Sequence, residues 1–386
     1  MNSAQSAAEI LRELVAIPTP SSVSNLPLLH WVAAFLEQRG WRVEFLPYED
    51  EFGVAKANLI AWPTTLSGEL DRNSELDLAF VCHTDTVPYA ADWPSALILE
   101  ERDGGLHGCG ACDVKGALAC FLAAVSRLDA KAIAVKVALI LTADEEIGCK
   151  GMERLLASTQ FRIASAIVSE PTSLRAGIAG KGYGLARITV EGREAHSAFP
   201  QQGVSAISVA ARLIARIEDT FVADKRQAAS DTLFDPPRTT LNIGVIEGGT
   251  AKNIIPGRCS FLVEWRAIPG ENPASVLDCL RDLVEEAQAS APHARIQLEA
   301  LRAEPGFSPA AQGRLQRSLA GLLSEEPVGI SFGSEASRVA RIADEVIVIG
   351  PGDMRTAHSN RECIPIIELK LWTEALTELL NRIDPT

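Results

Sequence analysis

The sequence predicts an α/β protein in which a domain built on a mixed sheet is interrupted by a smaller inserted domain. Three observations carry that expectation. Short apolar runs alternate with amphipathic helices at both ends of the chain, the pattern of a sheet covered on both faces. Near Lys181 the style changes to strands of alternating polarity, in the order β-α-β-β-α-β. The 386 residues also suit two hydrophobic cores better than one. The boundaries expected are 1–179 with 303–386 for the larger domain and 180–302 for the insert.

Taken in order, the opening MNSAQSAAEILRELVAI has no basic segment leading an apolar stretch, so it reads as an amphipathic helix and not a signal peptide. NLPLLHWVAAFLEQRG has helical periodicity and stops at Gly40, and WRVEFLPY follows as a strand. KANLIAW, LDLAFVC, AVKVALILT and ASAIVS are apolar runs bounded by turns or polar residues, and VKGALACFLAAVSRL is a strongly apolar helix among them. In the insert, YGLARITVEG, TTLNIGVIEGG, GRCSFLVEWRAI and ARIQLEAL are strands, while GVSAISVAARLIARIED and NPASVLDCLRDLVEEAQAS are helices. This order, a ferredoxin-like βαββαβ unit, forms one sheet with both helices on one face and an edge strand left for pairing. Finally, ADEVIVIGPG reads as a buried strand and IPIIELKLWTEALTELLNRI as a closing helix.

Composition narrows the function. Hydrophobic content of 47% and charged content of 22% are ordinary for a globular chain. No apolar run approaches about eighteen residues, so no membrane partner is expected. A net charge of −14 without a basic run argues against nucleic acid. Eight scattered cysteines fit reduced thiols in the cytoplasm.

The chemistry collects behind the apolar strands. LDLAFVC runs into His83 and Asp85. VALILTA runs into Asp144, Glu145 and Glu146. ASAIVS runs into Glu170, and VIVIGPG is followed by His358; Asp113 opens the apolar helix. Ligands of open α/β sheets bind outside the carboxyl ends of strands. Two histidines and three carboxylates exceed one tetrahedral zinc but suit two if a carboxylate bridges. Such ions supply the positive charge that adjacent carboxylates at a strand end require. Neighbours on an extended segment diverge, so one glutamate of the pair can ligate while the other serves as general base. Asp85, two residues beyond His83, is placed to accept the second ring N–H. Asp144 is expected to face solvent or cap a turn, and His30, His107 and His293 to be structural.

The segment GCGACD lacks the third glycine of a dinucleotide loop, and no G-x-S-x-G elbow is present. Cys109 and Cys112 are expected as two thiols beside the metal centre, making the protein oxidation-sensitive.

HTDTVP, the GxGxxDxKG pattern, ADEEIG, SEPTS and AHSN resemble, in order and in rough spacing across essentially the whole chain, the motifs of the dinuclear-zinc amidohydrolase and exopeptidase family. That family includes acetylornithine deacetylase, succinyl-diaminopimelate desuccinylase, aminoacylase and carboxypeptidase G. The resemblance implies a zinc-exopeptidase-like catalytic domain with two Zn2+ per subunit. Co2+ or Mn2+ also suits such ligands. It implies that His83 and Glu170 hold one ion, Glu146 and His358 the other, and that Asp113 bridges. It makes Glu145 the general base and puts a cis peptide after Asp113.

GREAHSAFP resembles the segment whose histidine, here His196, enters the partner subunit's site as an oxyanion donor. The matching segments GGTAKNIIPG and VEWRAIPG offer Asn253 and Arg266 to a substrate carboxylate. The loop FGSEAS resembles the acetylornithine deacetylase type, with Glu335 meeting a cationic side chain. The implied activity is hydrolysis of an N-acyl amino acid by a homodimer paired through the insert, which also serves as a lid. A desuccinylase, an aminoacylase or a dipeptidase on the same scaffold, or a metal-bound protein without catalysis, are the alternatives.

Overall fold

The computed structural model describes residues 5–65, 75–133, 135–159, 161–223, 231–272, 274–323 and 326–382. The first residues of the opening segment, 1–4, lie outside that set. The chain divides into two compact units: Met1–Ile178 with Pro309–Val328 and Ser334–Thr386, and Ala179–Ser308 with Gly329–Gly333.

In the larger unit the first helix, Ala7–Ala16, begins on a capping box. The Ser6 hydroxyl accepts the Glu9 N–H while the Glu9 carboxylate accepts the Ser6 N–H. Behind it six strands of an eight-stranded sheet run, side by side, Trp41–Glu49, Ala55–Pro63, Val137–Thr142, Glu75–His83, Arg162–Val168 and Ala343–Val348. The last four strands are mutually parallel and the first two pair antiparallel, so the sheet is mixed. Every residue of Val137–Thr142 is buried. A strand covered on both faces must be apolar throughout, which is why these segments read as runs and not as alternations.

The helices that cover one face are Ala7–Ala16, Lys115–Arg127 and Ile366–Arg382. All positions from Lys115 to Val125 are buried, as expected of a helix apolar all round. Its Phe121 ring stacks on Phe80 of the sheet at 4.6 Å between centroids. The parallel strands end together at His83, Thr142, Val168 and Val348, with His83 paired to Thr142 and Val81 to Val168. Everything that follows these strands therefore gathers at one edge.

The main sheet of the smaller unit is antiparallel, in the order Thr240–Gly248, Arg258–Arg266, Tyr183–Glu191 and Arg295–Glu304. Helices Ala206–Ala223 and Ala274–Ser290 share its core with Ile188, Phe261 and Trp265. Alternate residues of Arg258–Arg266 are buried, so one face packs on the helices and the other does not. The β-α-β-β-α-β order is thus realised as a ferredoxin-like sheet, with Thr240–Gly248 and Arg295–Glu304 at its edges. Phe307 belongs to this unit because its backbone pairs with Gly180 in both directions at 3.0 Å. A side chain at Gly180 would collide with the Phe307 ring.

Among the described residues, no helix is long and apolar enough to cross a membrane.

Candidate metal centre

The strand Glu75–His83 delivers His83 to the carboxyl edge, with its Nε2 3.1 Å from Asp113 Oδ1. On the other side of that carboxylate, Asp113 Oδ2 lies 3.0 Å from His358 Nε2. The same His358 nitrogen is 3.2 Å from Glu146 Oε2. Asp113 thus presents one oxygen to each imidazole, the arrangement of a bridging carboxylate. Two groups of potential ligand atoms result, His83–Asp113–Glu170 and Asp113–Glu146–His358, each with its atoms within 4.8 Å of one another. The peptide from Asp113 to Val114 is cis, and His358 occupies the left-handed region at φ 57°.

Charge is badly unbalanced here. Asp85, Asp113, Glu145, Glu146, Glu170 and Glu335 crowd around His83 and His358. Burial works against a charged His83, but the hydrogen bond and charge of Asp113, with Glu145 and Glu170, hold it well above its ordinary value. Hydrogen bonds to Asp113 and Glu146 push His358 up to about 10. Burial opposes ionisation of Asp113, yet the two imidazoles bring it well below the usual carboxylate range. Burial, with Asp113 and Glu145 nearby, drives Glu170 well up. Glu145 is pushed to about 8, first by burial and then by Glu146, Glu335 and Asp85. Glu146 Oε1 is buried with no hydrogen-bond partner among the described residues. Buried polar atoms are normally satisfied. A hard donor set with surplus negative charge and an orphaned carboxylate oxygen fits divalent cations.

Two carboxylates at this edge depart from expectation. Asp144 does not face solvent: it is 1% exposed, takes an ion pair from Lys56 and a 2.9 Å hydrogen bond from the Tyr48 hydroxyl. Its φ of 60° turns the chain so that its side chain goes into the protein while Glu145 and Glu146 face the site. Asp85 also acts differently from the role expected of it. The His83 Nδ1 partner is the Asp85 backbone carbonyl, at 2.9 Å, while the carboxylate stands 3.7 Å away. That carboxylate instead accepts the N–H groups of Glu145 (3.0 Å) and Glu146 (3.3 Å) and the Ser21 hydroxyl (2.7 Å).

Three functional neighbours escaped the sequence reading. Lys56 left a signal, a lone lysine inside the apolar run KANLIAW. Cys149, whose thiol donates to Glu145 Oε1 at 3.3 Å, and Glu362, whose carboxylate is bonded to the Asp113 loop, left none. Cys109 and Cys112 are 2% and 1% exposed. Burial and the Glu362 charge raise both thiols, Cys109 to about 11. The two free thiols expected from the sequence are both present, buried in the core.

Glu335, at the entry to the short helix Ala336–Val339, is 1% exposed. Its Oε2 accepts the Thr142 hydroxyl at 2.9 Å, Oε1 has no hydrogen-bond partner among the described residues, and burial pushes the group up to about 7. In the smaller unit, His196 is exposed on the short pairing of Ala195–His196 with Ile254–Ile255. The Ser197 N–H donates to the Asn253 carbonyl, so His196 and Asn253 stand side by side. Arg266 donates to Glu264 at 2.7 Å and lies over the Tyr183 ring at 4.4 Å. Arg302 flanks the same ring at 4.8 Å.

Comparison with known proteins adds to this geometry. Residues 178–292 match a family model, M20_dimer, described as a peptidase dimerisation domain. The chain is 41% identical to an acetylornithine deacetylase of Myxococcus xanthus over 93% of this chain and 92% of that one. It is 31% identical to the acetylornithine deacetylase of Pasteurella multocida, covering 96% of each. Its fold is shared with a tripeptidase from Staphylococcus aureus (TM-score 0.77, 21% identity, 99% of this chain and 98% of that one). It is also shared with an M20 family metallo-carboxypeptidase from Sulfolobus solfataricus (TM-score 0.74, 17% identity, 98% and 99%).

Proposed function

The chain belongs to the M20 family of amidohydrolases and metallopeptidases that contains the acetylornithine deacetylases, and from that membership we propose that it hydrolyses N-acetyl-L-ornithine to L-ornithine and acetate. The observation that carries the reading is the shared carboxylate of Asp113, with one imidazole at each oxygen. His83, Asp113 and Glu170 would hold one zinc ion, and Asp113, Glu146 and His358 the other. When bound, the two ions supply Lewis-acid charge for the acyl carbonyl and the attacking water.

The chain's own groups do the rest. Glu145 takes a proton from the water as it attacks the acyl carbon, and returns that proton to the amine nitrogen as the C–N bond breaks. His196 donates a hydrogen bond to the developing oxyanion, acting from the second copy of a homodimer paired through the smaller unit. Asn253 and Arg266 grip the substrate carboxylate, and the spare oxygen of Glu335 meets the cationic ornithine side chain. The product belongs to arginine biosynthesis in the cytoplasm, a compartment that suits eight cysteines without a secreted framework.

The test is a panel of N-acetyl-L-ornithine, N-acetyl-L-methionine, N-succinyl-diaminopimelate and a dipeptide on the zinc-loaded protein. The acetylornithine value of kcat/KM is expected to lead. A different leader moves the assignment to an aminoacylase, desuccinylase or dipeptidase, and no hydrolysis of any member overturns the reading.

A further inference from the structure

Asp113 and His358 come from distant parts of the chain, yet they must stand a fixed distance apart to share an ion. The segment with His358 supplies the tie. Glu362, four residues on and 2% exposed, sends its carboxylate into the Asp113 loop. Its Oε2 accepts the Gly110 N–H at 3.0 Å, and its Oε1 accepts those of Cys112 (2.9 Å) and Asp113 (3.0 Å). The Glu362 N–H in turn donates to the Ser359 carbonyl at 3.0 Å, closing the turn that follows His358. Beyond it, Cys363–Pro365 pairs antiparallel with Gly105–His107, just before the same loop. Buried backbone N–H groups require acceptors, and here a single carboxylate satisfies three of them.

The His83 side is anchored separately. The Lys115 ammonium donates to the Ile17 carbonyl at 2.8 Å, and the Cys82 thiol lies 3.8 Å from the Val114 carbonyl. The Asp113 loop therefore stays attached near His83 without Glu362. Its spacing to His358, whose own side chain is half exposed, loses its main tie.

We propose that Glu362 is a positioning residue that sets the Asp113–His358 spacing, and through it the affinity of the ion held by Asp113, Glu146 and His358. The inference rests on the ligand assignment given under the proposed function. Replacement by Gln leaves one acceptor oxygen but turns an NH2 group toward an N–H donor; replacement by Ala removes all three bonds.

The experiment is an equilibrium titration of metal-free protein with Zn2+, read as ions bound per chain and as two separate affinities. Thermal melting accompanies it. The parent is expected to bind two ions. Glu362→Gln and Glu362→Ala are expected to weaken one ion by about 10–100-fold, the range for loss of a group that orients a ligand, and to spare the other, with Ala the stronger effect. If Glu362→Ala does not fold, the Gln variant decides alone. Parental affinity for both ions, or equal weakening of both, overturns the proposal. His358→Ala is the control: if it still binds two ions tightly, the ligand assignment fails, and not the role of Glu362.

Discussion

The carboxylate of Asp85 is hydrogen-bonded to the backbone N–H of Glu145 at 3.0 Å, not to the imidazole two residues before it. Because it also takes the Glu146 N–H, it fixes the turn on which Glu145, the proposed base, and Glu146, a candidate ligand, sit. Replacing Asp85 with Asn swaps an acceptor for an NH2 group that opposes those donors. Turnover is expected to fall about 10–100-fold, with zinc content reduced. Activity and metal analysis at the parental level would remove the role.

The neighbouring glutamates should separate cleanly. Glu145→Gln is expected to lower kcat by about 100–10,000-fold with zinc content unchanged. Glu146→Gln should lose zinc as well, since its Oε2 lies 3.2 Å from His358. The opposite pattern would mean that the two roles are exchanged.

Lys56 and Asp144 form an ion pair with both side chains 1% exposed. Removing one partner of a buried pair typically costs about 3–5 kcal/mol, so Lys56→Met should lower the unfolding free energy by that order. Burial works to lower the Lys56 ammonium, but Asp144 and Asp50 outweigh it and raise it above its ordinary value of 10.5. A raised folded-state value gives stability that is complete below 10.5 and lost as the pH climbs through the folded value. Denaturant melts across the alkaline range should show this loss in the parent and not in Lys56→Met.

Metal uptake should release protons. In the metal-free protein His358 is held up at about 10 and His83 well above its ordinary value. Both must be neutral to ligate, and Glu170, which burial drives well up, must be ionised, so near pH 7 zinc binding is expected to expel about three protons per chain. Affinity should accordingly rise with pH. Calorimetry in two buffers of different ionisation enthalpy measures the count, and identical heats in both would contradict it.

Much of this was legible beforehand because it is local. Apolar runs too continuous to alternate specify strands covered on both faces, and parallel strands end at a common edge. Reading the residues behind each run, with Asp113 at the head of the apolar helix, is enough to list His83, one of Glu145 and Glu146, Glu170 and His358 together; the family resemblance picks Glu146 as the ligand. The insert was legible for the same reason, since its period of two survives in the burial of Arg258–Arg266. The surroundings of those residues were less accessible. Asp144 looked like an exposed carboxylate until Lys56, 88 positions away, proved to be its partner. Asp85 looked like a partner of the nearest histidine, but its carboxylate bonds to a turn 60 residues on.

The order of the main strands and helices, and the chemical groups at the carboxyl ends of the strands, can be read from the chain alone. Periodicity and strand-end chemistry are written in neighbouring residues. How those groups are held depends on packing between distant segments. Asp85 on the Glu145 turn, Lys56 on Asp144 and Glu362 on the Asp113 loop are hydrogen bonds between segments with no common period. Such contacts arise when separate elements pack, and a buried carboxylate accepts whichever donors the packing brings within reach.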